Sequence, residues 1–395
     1  MDELRNIYEQ PDQTSSVAPI AGGISPTTQA TAQAPKPVTP TSTTMPAAAS
    51  TAASTAASTA ASTLHSEVSK TGIVLINTGS PASPDPKDIR PYLIEFLSDK
   101  NLVRIPHAIW LPILHCIIAR KRPQKTSPRY RSIWTPAGSP LLIETFAQRD
   151  ALNDRFAKAG LSYYTEVGMR YGKPSIAEAL TKLEQQGCTQ IFGLPLFPQS
   201  ATCTTHTCLE KFDAELSHHP TLERAGSIAG YSNNPLYWRA LANAISDVWH
   251  YTPGSRLLFS LHSVPLEDIK AGDTYIAEAE LALGKVADLL GLAPEDWAIA
   301  YHSRFEDSRK WASPHPKTVL AQWAAEGITR VALVTPGFAA DCLESLYDIA
   351  QVAKEYFEGL CVARGAQGEV TYIPALNARA DHIDLLFDLI TKALQ

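Results

Sequence analysis

A histidine, His262, lies in the segment 259–265 (FSLHSVP), where an apolar run predicted to be a buried strand gives way to a loop. A neutral imidazole at the carboxyl end of a strand can accept a proton or bind a metal ion. The other interpretation is a histidine whose ring only satisfies a local hydrogen bond. Position alone leaves both interpretations open.

Three acidic side chains follow a second apolar run, 330–336: Asp341, Glu344 and Asp348. Their spacing of three and then four residues would place them on one face of an α-helix. A row of carboxylates can carry a cation or take up protons. Acidic residues are also common in the first turn of a helix, because they cap it and interact favourably with its dipole. The spacing does not exclude this second explanation.

Arg170 and Tyr171 end another apolar run, 166–171. An arginine there can bind a substrate carboxylate or form a structural ion pair. The segment 203–208 (CTTHTC) has no second Cys/His pair nearby to complete a zinc site, so we predict a polar helix start. Residues 101–122 are strongly apolar with a basic end, which favours either a surface-seeking segment or a core helix.

These residues need elements to position them, and short apolar runs alternate with helical patterns along the chain. The predicted strands are 72–77, 166–171, 190–196, 256–261, 297–302, 330–336 and 370–374. The clearest helical patterns are 175–186, 277–290 and 341–357. This alternation predicts parallel sheets with helices on both faces. The segments 185–201 and 325–341 also resemble each other, which predicts two related α/β halves with a cleft between them.

The predicted domain organisation has three parts. Residues 1–69 are rich in Ala, Thr, Ser and Pro and are expected to form a disordered tail. Residues 70–235 and 236–379 are expected to form two Rossmann-like domains. A helix at 380–395 is expected to pack back on the first of them.

Composition excludes several classes of protein. The formal net charge of −6 argues against nucleic acid as a partner. None of the six cysteines forms a CxxC pair, which argues against zinc ribbons and suits a reducing compartment. The chain shows no secretory signal pattern and no apolar run of bilayer-spanning length. We therefore expect a cytoplasmic protein, in solution or at the inner surface of a membrane.

Taken in order, these motifs resemble the ferrochelatase family from Gly72 to the C-terminus. The most specific matches are 259–265 (FSLHSVP) and 336–344 (PGFAADCLE). Further matches lie at 77–81, 92–99, 110–114, 130–134, 138–141, 170–175, 194–199 and 372–377. The resemblance implies a pair of Rossmann-like domains and insertion of Fe²⁺ into protoporphyrin IX, the final step of haem synthesis.

The resemblance also assigns roles to residues. His262 and Glu344 would be catalytic and would meet the metal, and Asp341 and Asp348 would conduct protons or iron. The residues implied to bind the porphyrin are Arg170, Tyr171, Tyr130, Trp110, Leu111, Ser303, Trp311 and Phe338. Iron is expected as substrate and no tightly bound cofactor is expected. No iron–sulfur cluster is expected, because no cysteine follows Cys361.

Some positions depart from the family pattern. Ile276 and Glu278 replace a proline and a glutamine, His302 replaces a glutamine, and the segment starting at Cys203 differs from the usual helix start. These departures leave open two alternatives: a relative that binds tetrapyrrole or metal without turnover, and a chelatase for another porphyrin or metal.

Overall fold

Two four-stranded parallel sheets form the framework of the computed structural model, which describes residues 70–304 and 309–395. The predicted tail, 1–69, lies outside the described residues. In the first sheet the order is β2-β1-β3-β4, and in the second it is β6-β5-β7-β8. The first contains β1 (Lys70–Asn77), β2 (Tyr163–Met169), β3 (Cys188–Pro195) and β4 (Glu223–Ser227). The second contains β5 (Ser255–His262), β6 (Trp297–His302), β7 (Arg330–Val334) and β8 (Glu369–Ile373).

Helices cover both sheets, and the predicted fold class is confirmed. Around the first sheet they are α1 (Pro86–Leu97), α2 (His107–Ile113), α3 (Ala119–Ile133), α4 (Pro140–Lys158), α5 (Ile176–Gln185) and α6 (Thr207–Leu216). The later helices are α7 (Pro235–Val248), α8 (Leu266–Lys270), α9 (Tyr275–Leu289), α10 (Pro316–Ala325), α11 (Lys354–Val362) and α12 (Ala380–Ala393). Three segments are π-helical: π1 (Leu114–Ile118), π2 (Thr202–His206) and π3 (Glu344–Ala353). A short 3₁₀ helix, Pro294–Asp296, precedes β6.

Strand β1 shows why its sequence is apolar throughout. Successive side chains of a strand point to opposite faces. Ile73 and Leu75 therefore enter a large core that also contains Phe259 of the second sheet. Val74 and Ile76 enter a separate outer core beneath α5 and α6. Because both faces are covered, a continuous apolar run is required where a one-sided sheet would show alternation.

The last helix, α12, packs against α4 and α7. The ring centroids of Phe387 and Phe156 are 5.4 Å apart, and Arg155 pairs with Asp384 at 3.0 Å. Arg379, just before α12, pairs with an aspartate of α7 at 2.9 Å. The predicted domain boundary at residue 235 stays a prediction.

The apolar segment 101–122 forms α2, π1 and the start of α3. Leu114 is fully buried, whereas Ile105, Ile109 and Ile117 are 43%, 59% and 53% exposed. The indole Nε1 of Trp110 donates to the Leu97 carbonyl at 2.6 Å, which ties the segment to α1. Within residues 70–304 and 309–395, no helix is long and apolar enough to cross a membrane.

The segment predicted as one α-helix at 341–357 differs from that prediction. Its first full turns form π3, with i→i+5 hydrogen bonding, and only the second part is α-helical. Asp341 lies before the helix, so the expected row of three carboxylates on one α-helical face was wrong. Glu344 is the first residue of π3, and Asp348 is the fifth.

Candidate functional site

The last residue of β5, His262, is half-buried, and only one of its ring nitrogens has a hydrogen-bond partner among the described residues. Its Nδ1 lies 2.8 Å from the carbonyl oxygen of Ser263. A carbonyl oxygen only accepts hydrogen bonds, so we assign the proton of the neutral ring to Nδ1. The lone pair is then on Nε2, which can accept a proton or bind a metal.

The backbone around His262 is held from the neighbouring strand. The amide of Ser263 donates to the carbonyl of His302 at 2.8 Å, and the Ser263 hydroxyl donates to the Ala312 carbonyl at 3.0 Å. Strands β5 and β6 pair in register, with His262 opposite His302. Contacts of His262 itself and of the next residue, Ser263, therefore hold the imidazole in place.

A second imidazole, His302, lies directly beside the first. The two ring centroids are 5.8 Å apart at an interplanar angle of 72°. His302 is buried, its Nδ1 is 2.8 Å from the Ser260 hydroxyl, and its ring is 5.8 Å from that of Phe338. Burial, followed by the neighbouring His262 and His315, holds the pKa of His302 well below its ordinary value. This ring is therefore neutral at physiological pH.

One carboxylate of π3, Asp348, interacts electrostatically both with Glu344 and with His262. Burial and the charge of Glu344 raise the pKa of Asp348, and they outweigh the opposing effects of Ser303, Arg129 and His262. The hydroxyl of Ser303 donates to Asp348 Oδ2 at 3.0 Å. Ser303 has a φ of 57°, in the left-handed region that few non-glycine residues adopt. The structure therefore brings His262, Glu344, Asp348 and Ser303 into one acidic, partly buried site.

Asp341 lies apart from this group. It is 6% exposed, and its carboxylate accepts hydrogen bonds from Tyr372, Ser345 and Asn377 at 2.6, 2.9 and 2.9 Å. Glu144 is an acidic neighbour, and burial followed by the charge of Asp341 raises the pKa of Glu144.

Arg170 and Tyr171 also lie in a network of their own. The Arg170 guanidinium and the Tyr171 hydroxyl both donate to Asp99, the latter at 2.7 Å. Thr207 donates to the same carboxylate, and Arg170 Nε donates to the Thr207 carbonyl at 3.1 Å. Burial acts to raise the pKa of Asp99, but the hydrogen bonds of Thr207 and Tyr171 and the charge of Arg170 outweigh it. The pKa of Asp99 therefore lies below its ordinary value.

Known proteins match this chain over almost all of its described residues. The family model for ferrochelatase matches residues 70–394. The chain belongs to the ferrochelatase family. The ferrochelatase of Azoarcus sp. (strain BH72) is 39% identical over 324 residues, which cover 82% of this chain and 87% of that protein. The ferrochelatase of Actinobacillus pleuropneumoniae serotype 5b is 38% identical over 322 residues, covering 82% and 98%.

Among solved structures, SirB from Bacillus subtilis with Fe³⁺ aligns with a TM-score of 0.48 and 14% identity. The alignment covers 82% of this chain and 96% of that one.

Aromatic residues implied by the ferrochelatase resemblance cluster beside π3. Tyr130 is 7% exposed, and its ring centroid is 6.1 Å from that of Trp134. Trp110 and Leu111 are half-buried and pack on the same cluster, together with Leu343, Leu346 and Tyr347 of the acidic segment. Trp311 pairs with Pro265, three residues after His262, through an isolated β-bridge.

Four residues that contact the candidate site residues were not singled out from the sequence as candidates. They are Asp99, Arg129, His302 and Asn377. His302 gave a signal, as a departure from the family pattern, but its contact with His262 follows from strand register. The Arg129 guanidinium lies 5.5 Å from the Tyr347 ring centroid. The positions of these two residues in the sequence do not predict that contact.

The described residues contain no group of three or more His, Cys, Asp or Glu side chains placed to hold a metal ion. For a ferrochelatase, the metal is a substrate. Imidazole and carboxylate groups such as those of His262 and Glu344 suit ferrous iron without the tight hold of a thiolate set, and their contact with the metal stays a prediction.

Proposed function

We propose that this chain inserts Fe²⁺ into protoporphyrin IX and releases haem and two protons. The observation that carries the proposal is the lone pair of His262 Nε2, fixed by the Nδ1 hydrogen bond to Ser263. Asp348 interacts electrostatically with that ring and with Glu344. Family membership supports the same reaction.

Insertion requires a base, because the two inner pyrrole nitrogens carry protons that must leave before four nitrogens can bind the metal. His262 Nε2 accepts one of these protons, and the ring becomes an imidazolium. The nearby carboxylates of Glu344 and Asp348 stabilise that charge. The raised pKa of Asp348 suits it to take the proton onward.

The aromatic cluster supplies the surface for the porphyrin. Trp110, Leu111, Trp311 and Phe338 are half-buried and can pack against the macrocycle. A cleft that distorts the ring exposes its nitrogen lone pairs, and the cost is met by binding to the remote parts of the ring.

The two porphyrin carboxylates need cations, since the acidic site would repel them. Arg170 was the expected partner, and it donates hydrogen bonds to Asp99 and Thr207. We propose that Arg170 and Tyr171 support the site through Asp99. Arg129 is exposed next to Tyr347 and can meet a porphyrin carboxylate directly.

The exposed isoleucines of α2 and π1 support a membrane-facing surface. Ile105, Ile109 and Ile117 lie on the segment that carries Trp110, with basic residues following at 120–122. We propose that this surface touches the inner face of a membrane, from which the poorly soluble porphyrin arrives, and that the protein is cytoplasmic.

Anaerobic turnover with Fe²⁺ and protoporphyrin IX tests the reaction, followed by loss of porphyrin fluorescence. We expect His262→Ala to lower kcat by about 10²–10⁴-fold while porphyrin still binds. His218→Ala, at an exposed position, is the matched control and should keep full activity. Wild-type protein that binds porphyrin but inserts neither Fe²⁺ nor Co²⁺ would contradict the proposal.

A further inference from the structure

Asp341 and Asn377 form a reciprocal pair of hydrogen bonds. The Asp341 amide donates to Asn377 Oδ1 at 2.9 Å, and Asn377 Nδ2 donates back to Asp341 Oδ2 at 2.9 Å. These two residues are 36 positions apart in the chain, so the pair joins the segment before π3 to the segment after β8.

The second oxygen of Asp341 is occupied as well. Its Oδ1 accepts from the Tyr372 hydroxyl at 2.6 Å, from the Ser345 hydroxyl at 2.9 Å and from the Ala375 amide at 3.4 Å. Four donors thus reach a carboxylate that has about four lone-pair positions. A proton or an iron ion arriving at this buried side chain would have to displace one of them.

Asn377 holds the other side of the pair in place. Its φ is 46°, a left-handed conformation that asparagine and aspartate adopt more readily than other non-glycine residues. Its amide donates to the Ala339 carbonyl at 3.0 Å. Its own carbonyl accepts from Gln148 at 3.1 Å and from His382 Nδ1 at 2.7 Å. Asn377 is thereby connected to α4 and α12.

The pair sits immediately before the reactive carboxylate. Glu344 begins π3 three residues after Asp341. The Ser345 hydroxyl that binds Asp341 also accepts from the Cys342 amide at 2.9 Å, which fixes the first turn. Movement of Asp341 would therefore shift Glu344 and, further along π3, Asp348.

We propose that Asp341 and Asn377 are positioning residues, a clamp that sets Glu344 relative to His262, and that Asp341 does not itself carry protons or iron. This inference rests on the proposed function, because it takes Glu344 as a working group of the insertion site. It assigns to Asn377, Tyr372 and Ser345 a role in catalysis through π3.

An exchange of the two side chains tests the clamp. Asp341→Asn alone leaves an amide facing an amide, and Asn377→Asp alone leaves two carboxylates at hydrogen-bonding distance. In the double variant D341N/N377D each donor again faces an acceptor. Asn at 341 still accepts from Tyr372 and Ser345, and Asp at 377 tolerates the left-handed backbone.

We expect each single variant to lower kcat about tenfold, with the Kd for protoporphyrin IX within about twofold of wild type. The double variant should regain most of that loss, because the donors and acceptors are restored without a carboxylate at 341. A double variant that recovers wild-type Tm and porphyrin Kd but keeps the low kcat would overturn the clamp, since the carboxylate itself would then be needed.

Tyr372→Phe gives a second measurement that does not depend on how the exchange variants fold. It removes one donor and leaves the Asp341 carboxylate in place. The clamp predicts a several-fold lower kcat, whereas a role of Asp341 as a carrier of protons or iron predicts no loss of kcat. Tyr356→Phe, on α11, is the matched control. If wild type itself inserts no metal, the proposed function fails. The clamp is then tested by Tm alone: the double variant should regain the Tm that each single variant loses, and a double variant that does not regain it would contradict the clamp.

Discussion

The two sheets have the same strand order, yet the polar residues beyond their carboxyl ends are used in opposite ways. After β2, Arg170 and Tyr171 close around Asp99, which also accepts from Thr207. After β5 and β6, the Nε2 lone pair of His262 has no partner among the described residues, and Asp348 interacts both with that ring and with Glu344.

The difference shows how one architecture gives both a support and a reactive site. A buried charge whose partners are all present is stable and unreactive. A site that transfers protons needs groups whose hydrogen bonding is incomplete, and such groups cost stability. Mutations at the end of the first sheet should therefore lower stability, and mutations at the end of the second sheet should lower the rate of turnover.

Among the variants that compare the two sheet ends, the largest effect is expected at Glu344. Glu344→Gln keeps the shape of the side chain and removes its charge, so the imidazolium of His262 loses a stabilising partner. We expect kcat to fall about 10²–10³-fold with little change in Tm. Glu358→Gln, on α11, is the control. A large loss of Tm together with the loss of rate would remove the contrast between the sheet ends.

The reverse behaviour is expected at Asp99. Asp99→Asn leaves the Arg170 guanidinium, 15% exposed, without its counter-charge. The free energy of unfolding should fall by about 3 kcal/mol, measured by urea denaturation. Asp85→Asn breaks the exposed pair with Arg131 and should cost less than about 1 kcal/mol. Equal losses in the two variants would show that the Asp99 network is no tighter than a surface pair.

Replacing Asp348 should raise the stability of the protein and lower its kcat. Its pKa is raised from the ordinary 3.8, so the folded state disfavours its charged form and wild type loses stability as pH rises through the folded pKa. Asp348→Asn removes that loss, so the variant should be the more stable one at pH 7.5, with the difference vanishing near pH 3. Its kcat should fall about tenfold. Unchanged turnover would remove Asp348 from the proton route.

The smallest effect concerns His302. Its folded pKa lies well below the ordinary 6.5, so the unfolded chain binds more protons below that pH and stability falls as the solution is acidified. His302→Gln should reduce the loss between pH 7.5 and 5.5 by about 1 kcal/mol. The buried His382, with its pKa lowered to about 4, supplies a similar loss that the variant retains. Identical pH dependence in wild type and variant would show that His302 is accessible to protons.

Sequence reasoning located the strands because burial on both faces demands apolar runs. The predicted 297–302 and 330–336 agree with β6 (Trp297–His302) and β7 (Arg330–Val334) to within two residues. It also identified His262 and Glu344 as one site through the family motifs, and in the structure Asp348 interacts with both of them. Their catalytic roles stay predictions.

What sequence reasoning missed depends on contacts between distant segments. The carboxylate spacing was interpreted with α-helical geometry, and nothing in the residues 341–348 announces a π-helix. The network of Asp99 with Arg170 spans 71 positions, and the pair of Asp341 with Asn377 spans 36. Such contacts are set by how the sheets and helices stack, which local patterns do not encode.

Because π3 is a π-helix, the number of residues in its segment matters for function. A π-helix holds more residues per turn than an α-helix, so removing one residue between Glu344 and Ala353 would let the segment relax to α-helical winding. The spacing of Glu344 and Asp348 around the helix axis would then change, because an α-helix has fewer residues per turn than a π-helix. Insertions and deletions here would thus be selected against even where each side chain, taken alone, tolerates exchange.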